Sequence, residues 1–187
     1  ASMQPVFYGG NPALVFDGSN DFMSLPDGTI PYGDSSYTVT VLVKANASHT
    51  GGILGSGTYG TTNQTNAFRF SHDNMRNYWW GNDIFSSSNS ITINEHFIVT
   101  FRYDNQSGRS IYLNGQLNTS DTDTNRSSTS INNTLALTYE PNNEYLNGEI
   151  VEVLIFDDGI DENILIKINY YLSKKWGLEP TVDSDGD

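Results

Sequence analysis

Residues 95–117 read EHFIVTFRYDNQSGRSIYLNGQL, and the pattern of this stretch decides the fold class. Phe97, Val99, Phe101 and Tyr103 alternate with His96, Thr100 and Arg102, which gives one face to bury at a period of two, the period of a β-strand. Ser110 to Leu113 repeats the pattern in a shorter run. Asn114-Gly115 then separates Ile111-Tyr112-Leu113 from Gln116-Leu117, and Asn-Gly between two such runs is a signal for a tight type I′ hairpin.

Outward from this hairpin the same alternation recurs. Tyr37, Val39, Val41 and Val43 alternate with Thr38, Thr40 and Leu42. Further strands are expected at Ala13–Phe16, Phe22–Leu25, Gly52–Leu54, Ala67–Phe70, Asn77–Trp80, Thr134–Thr138 and Glu149–Phe156. Asp17-Gly18, Asp27-Gly28 and Asn147-Gly148 supply turns. Many short strands without intervening helices predict two antiparallel sheets packed as a sandwich. One helix is expected near the end, capped by Asp161, stapled by Ile160 and Leu165, striped by Leu165, Ile168 and Leu172, and stopped at Gly177 before Pro180.

The whole chain has 187 residues, with 22 acidic residues against 9 basic ones, for a formal net charge of −13. That length suits one domain. The charge would repel a phosphate backbone and no Lys/Arg cluster offsets it, so nucleic acid is a poor partner. No apolar run approaches the roughly 20 residues of a membrane span, so membrane insertion is not expected. Without cysteine there is no disulfide or thiolate chemistry. Residues 1–12 read as a lead-in whose Ala1, Ser2 and Met3 look like a cloning remnant. Residues 13–179 read as the domain, and 180–187 as an acidic linker or the start of a calcium-binding repeat.

Three segments carry a resemblance. ALVFDGSNDFMSLP at 13–26, the hairpin at 95–117 and NGEIVEVLIFDDGIDENILIKINYYLSKKWGL at 147–178 resemble the laminin-G-like group of the concanavalin A-like lectin/glucanase superfamily, especially modules of large bacterial surface proteins. The resemblance implies an all-β, antiparallel two-sheet jelly-roll sandwich with one short C-terminal helix, in an extracellular or cell-surface setting. His96 stands where such modules commonly carry tryptophan. A glucanase of that superfamily carries E-I-D-x-x-E on one strand. Glu149-Ile150-Val151-Glu152 is a superficial match that lacks the aspartate, and its glutamates, three apart on an extended strand, are expected on opposite faces.

Arg76-Asn77-Tyr78-Trp79-Trp80-Gly81-Asn82-Asp83 is the densest candidate site. Flat rings cover the apolar faces of sugars while amides and carboxylates take hydroxyls, and this stretch has both. Tyr78, Trp79, Trp80, Asn82 and Asp83 are therefore the expected carbohydrate-binding residues, with Tyr59 in a Gly-rich loop beside them. Strand alternation should send Trp79 and Trp80 opposite ways, one into the core. Oxygen ligands at short spacing suit calcium: Asp17, Asn20 and Asp21 in one turn, and Asp157 and Asp158 after the last strand, two regions that the resemblance implies come together. Asp183, Asp185 and Asp187 form an incomplete D-x-D-x-D pattern. The expected function is a non-catalytic binding module for a glycan within a larger adhesin or secreted protein. The alternatives are a protein-interaction or spacer domain, and a polysaccharide hydrolase or lyase with an unfamiliar site.

Overall fold

The computed structural model describes residues 5–8, 11–139 and 143–182. A seven-stranded antiparallel sheet runs in the order β1 (Pro5–Tyr8), β2 (Asn11–Asp17), β15 (Asn147–Phe156), β4 (Tyr37–Ala45), β9 (Phe97–Asp104), β10 (Gly108–Leu113), β11 (Gln116–Asp121). A six-stranded sheet faces it in the order β3 (Met23–Ser24), β12 (Thr134–Leu135), β5 (His49–Gly55), β6 (Ala67–His72), β7 (Asn74–Tyr78), β8 (Ile84–Phe85). The expected two-layer sandwich is present. Tyr37, Val39, Val41 and Val43 meet Phe97, Val99, Phe101 and Tyr103 and, from the other sheet, Phe68, Phe70 and Met75 in one buried core.

Asn114 and Gly115 both adopt positive φ, 50° and 88°, as the Asn-Gly hairpin requires. The helix α1 (Glu162–Trp176) starts at Asp161, whose carboxylate accepts the Ile164 N–H, and ends at Gly177 in the left-handed region. It lies on the outside of the seven-stranded sheet, where Leu172, Trp176 and Leu178 pack on Leu42 and Ile98, the residues of β4 and β9 that point away from the core. His96, in place of the family tryptophan, joins Lys44 around Glu149, at 3.0 Å and 2.6 Å.

Besides Asn77–Trp80, whose strand stops at Tyr78, two expectations about strands need correction. Thr134–Thr138 is not one strand: Ala136 takes φ 65° and gives its N–H to Ile53, which breaks the run into β12 and β13 (Leu137–Thr138). β13 pairs with β14 (Glu144–Tyr145) on the outer side of β5, so close that a Cβ on Gly52 would lie 2.3 Å from the Thr138 amide nitrogen. Glu149 and Glu152 do not take opposite faces either. The register of β15 against β4 slips between Ile150 and Glu152, so Glu149 pairs with Lys44 and Glu152 with Leu42, both on the helix side. Glu152 is held there by Lys175, at 2.9 Å, and by the Trp176 indole N–H.

Candidate functional site on the outer face of the six-stranded sheet

The two faces of β7 separate the candidate residues. Met75 and Asn77 point inward, where Asn77 accepts the Tyr37 hydroxyl at 2.6 Å. Burial lifts the Tyr37 pKa to about 12, so this hydroxyl stays a donor. Arg76 and Tyr78 point outward. β7 ends at Tyr78, and the next five residues turn.

Trp79 is fully buried, with the Arg109 guanidinium 4.0 Å from its ring centroid and Tyr103 edge-on at 5.1 Å. It offers no face to a ligand, which corrects its assignment as a sugar platform: the indole fills the end of the core. Trp80 goes the other way. It stays partly exposed, with φ 60°, and is followed by Gly81 at φ 74°. The division between the two indoles thus comes from this left-handed turn, not from strand alternation. A bulky side chain in that region costs on the order of 1–3 kcal/mol, and such strain clusters at ligand sites.

The turn is held in several places. Asp83 accepts the Trp79 N–H at 2.8 Å and pairs with Arg76. The Asn63 N–H donates to the Trp79 carbonyl at 2.7 Å, while the Asn82 side-chain amide donates to Asn63 Oδ1 at 2.8 Å and the Asn82 backbone carbonyl accepts from Arg109 at 2.9 Å. Asn82 therefore works inward on the turn, whereas Asp83 borders the outer face. Around Trp80 stand Tyr59, edge-on at 6.4 Å, and Tyr78, at 5.6 Å. Tyr139 closes on Tyr59 at 5.9 Å. Tyr78 is itself buried beneath Arg69 and Arg76, 4.4 Å and 4.3 Å from its centroid, so it supports the guanidinium groups instead of presenting a ring.

Sequence reasoning missed Arg69, Glu144, Tyr139 and Phe85. Arg69 had a signal, because it alternates with Phe68 and Phe70 and so had to face outward. Glu144 reaches Arg69 because β14 folds over β5. Phe85 lies under Arg76 at 4.8 Å, across the β7–β8 ladder.

The expected calcium ligands do not converge. Asp17 pairs in register with Asn147 at the start of β15, and Asp157 follows its end. Ten residues along the strand, roughly 30 Å, separate them. Within the first turn, Asp17 Oδ1 accepts the Ser19 N–H at 2.8 Å, Asn20 is exposed, and Asp21 is buried with its Oδ1 lacking a hydrogen-bond partner. The Asp158 carbonyl accepts the Thr38 hydroxyl at 2.8 Å, and both Asp157 and Asp158 are exposed. Among the described residues no group of three His, Cys, Asp or Glu side chains is placed to hold a metal. Asp183, Asp185 and Asp187 lie outside the described residues.

Residues 17–163 match the family model of Laminin G 3, described as concanavalin A-like lectin/glucanases superfamily. The chain belongs to this superfamily. Concanavalin A-like folds also appear among solved structures. A heptameric SAP-like pentraxin from Limulus polyphemus superposes with a TM-score of 0.62 at 15% identity, over 83% of this chain and 80% of that one. Domain 4 of AbnA, a GH43 extracellular arabinanase from Geobacillus stearothermophilus, in complex with arabinotriose, gives 0.58 at 19% identity, over 82% and 74%. The CBM40 of a Ruminococcus gnavus IT-sialidase, bound to α2,3-sialyllactose, gives 0.60 at 13% identity, over 80% and 97%. At such identities the likeness establishes fold alone. No curated protein sequence matches the chain. Among the described residues no helix is long and apolar enough to cross a membrane.

Proposed function

We propose that this sandwich, β1 included, is a non-catalytic, carbohydrate-binding module of a larger extracellular or cell-surface protein, and that the sugar lies on the outer face of the six-stranded sheet. The observation that carries this is Trp80, a partly exposed indole held at positive φ beside Tyr59 and Tyr78, on which the Arg76 guanidinium of the Arg76–Asp83 pair lies. A ring face beside a fixed donor and acceptor is what a sugar ring needs. The sandwich neighbours that hold arabinotriose and sialyllactose support the same reading. So do Glu149 and Glu152, each engaged in ion pairs and both on the helix side of the other sheet.

A glycan array followed by Trp80→Ala tests it. Binding to at least one glycan, lost in Trp80→Ala at an unchanged melting temperature, is the expected result; no binding at millimolar sugar would end the proposal.

Calcium belongs in this proposal only at Asp17, Asn20 and Asp21, since the unpartnered Asp21 oxygen suits a cation ligand and the pair at 157–158 is too distant. A second reading, docking of a protein, draws on Ile164, Tyr170 and Tyr171, large side chains left exposed on α1.

A further inference from the structure

Arg69 and Arg76 stand directly opposite each other on β6 and β7. Like charges in that position repel, and the sheet tolerates them only because each has its own carboxylate. Arg69 pairs with Glu144 and Arg76 with Asp83, and the Tyr78 ring lies within 4.4 Å of both guanidinium carbons. Neither carboxylate is free to leave. Asp83 uses its second oxygen for the Trp79 N–H at 2.8 Å, and Glu144 also accepts the hydroxyl of buried Thr138 at 3.2 Å. Swinging either one away would strand a donor in a water-poor site, which costs about 1–3 kcal/mol.

Resting on the carbohydrate reading, we propose that the site takes uncharged oligosaccharides and turns acidic ones away. The Arg69 side chain is only 4% exposed, so the reachable guanidinium is that of Arg76: a hydroxyl accepts from an Arg76 N–H and donates to a remaining lone pair of Asp83 or Glu144. Neighbouring hydroxyls on one sugar ring therefore find a donor and an acceptor side by side, with Trp80 against the ring. A uronate carboxylate can only accept. It would meet two arginines already neutralised and two negative charges that cannot move, on a chain of formal net charge −13.

The test is titration calorimetry at pH 7 and low ionic strength with arabinotriose, xylotriose, maltotriose and trigalacturonate. At least one neutral trisaccharide binds, and trigalacturonate binds at least about tenfold more weakly because like charges face each other. Asp83→Asn, which frees Arg76 for an anion, narrows that gap or inverts it. Asp83→Ser removes the same charge and serves if the Asn variant does not fold. Equal affinity of the wild type for trigalacturonate and the best neutral sugar, or a gap unchanged in both variants, overturns the preference while leaving sugar binding in place. Failure of all four probes, together with a blank glycan array, removes the carbohydrate reading and this proposal with it.

Discussion

The outer faces of the two sheets begin from the same alternation and end differently. On the seven-stranded sheet the outward positions include Leu42 and Ile98, and α1 closes over them with Leu172 and Trp176. On the six-stranded sheet they are Arg69, Arg76 and Tyr78, bordered by Glu144, Asp83, Tyr59 and Trp80. One face is an apolar surface that had to be covered. The other carries charges that neutralise each other in place: β13 and β14 cover it over β5, Arg69 and Tyr78 are buried, and Arg76, Asp83 and Trp80 are left at its accessible end. A sandwich core asks only for the inward residues, and a ligand site can be written on whichever outward set is left uncovered.

Substitutions at the two indoles separate these faces most strongly. Trp79→Ala removes a fully buried ring and should cost about 3–5 kcal/mol in urea unfolding, enough to leave little native protein. Leu172→Ala, on the sheet-facing side of α1, should cost about 2–4 kcal/mol while sugar affinity of the folded fraction stays unchanged. Trp80→Ala should shift stability by less than about 1 kcal/mol and abolish sugar binding, because its ring packs at the surface and its φ favours no side chain. A large loss of stability in Trp80→Ala together with a small one in Trp79→Ala would erase the contrast.

The sandwich, the Asn-Gly hairpin and the capped helix were all legible, because each rests on local chemistry: period two, positive φ at Asn114 and Gly115, an aspartate before the first helical turn. The site was legible only in part. Arg76-to-Asp83 stood out by composition, yet which indole faced solvent depended on Trp80 entering the left-handed region, a choice fixed by Asn63 and Arg109, distant in sequence. Glu144 could not be placed without knowing that the chain breaks at Ala136 and returns over β5. The slip in β15 that brings Glu149 and Glu152 to one face, and the register that parts Asp17 from Asp157, are likewise properties of pairing.

Smaller effects refine the comparison. His49, stacked on Phe70 at 5.6 Å, meets the Ala47 carbonyl through Nδ1 at 2.7 Å and the Asn147 N–H through Nε2 at 3.0 Å. That arrangement needs a neutral ring, and burial holds its pKa below the ordinary histidine value. His96 is shifted the same way by burial, against the pull of Glu149. On acidification the unfolded chain therefore takes up these protons first, from about pH 6.5. Stability present above that pH should fall on the way to pH 5.5, and His49→Gln should flatten the decline. Unfolding curves at pH 7.5, 6.5 and 5.5 measure it; a rise in stability toward pH 5.5 would contradict the buried neutral ring. Smallest is the effect expected from calcium. A melting temperature a few degrees higher in millimolar calcium than in chelator, lost in Asp21→Asn, would fit a cation in the first turn, and identical curves would remove it.

Amide chemical-shift mapping during titration with arabinotriose, xylotriose and maltotriose tests the central claim most directly. Shifts confined to residues 58–60, 69, 76–83, 138–139 and 143–144, with the α1 amides still, are what a site on this face predicts. Shifts centred on 162–176, or none while the sugar demonstrably binds elsewhere, would contradict it.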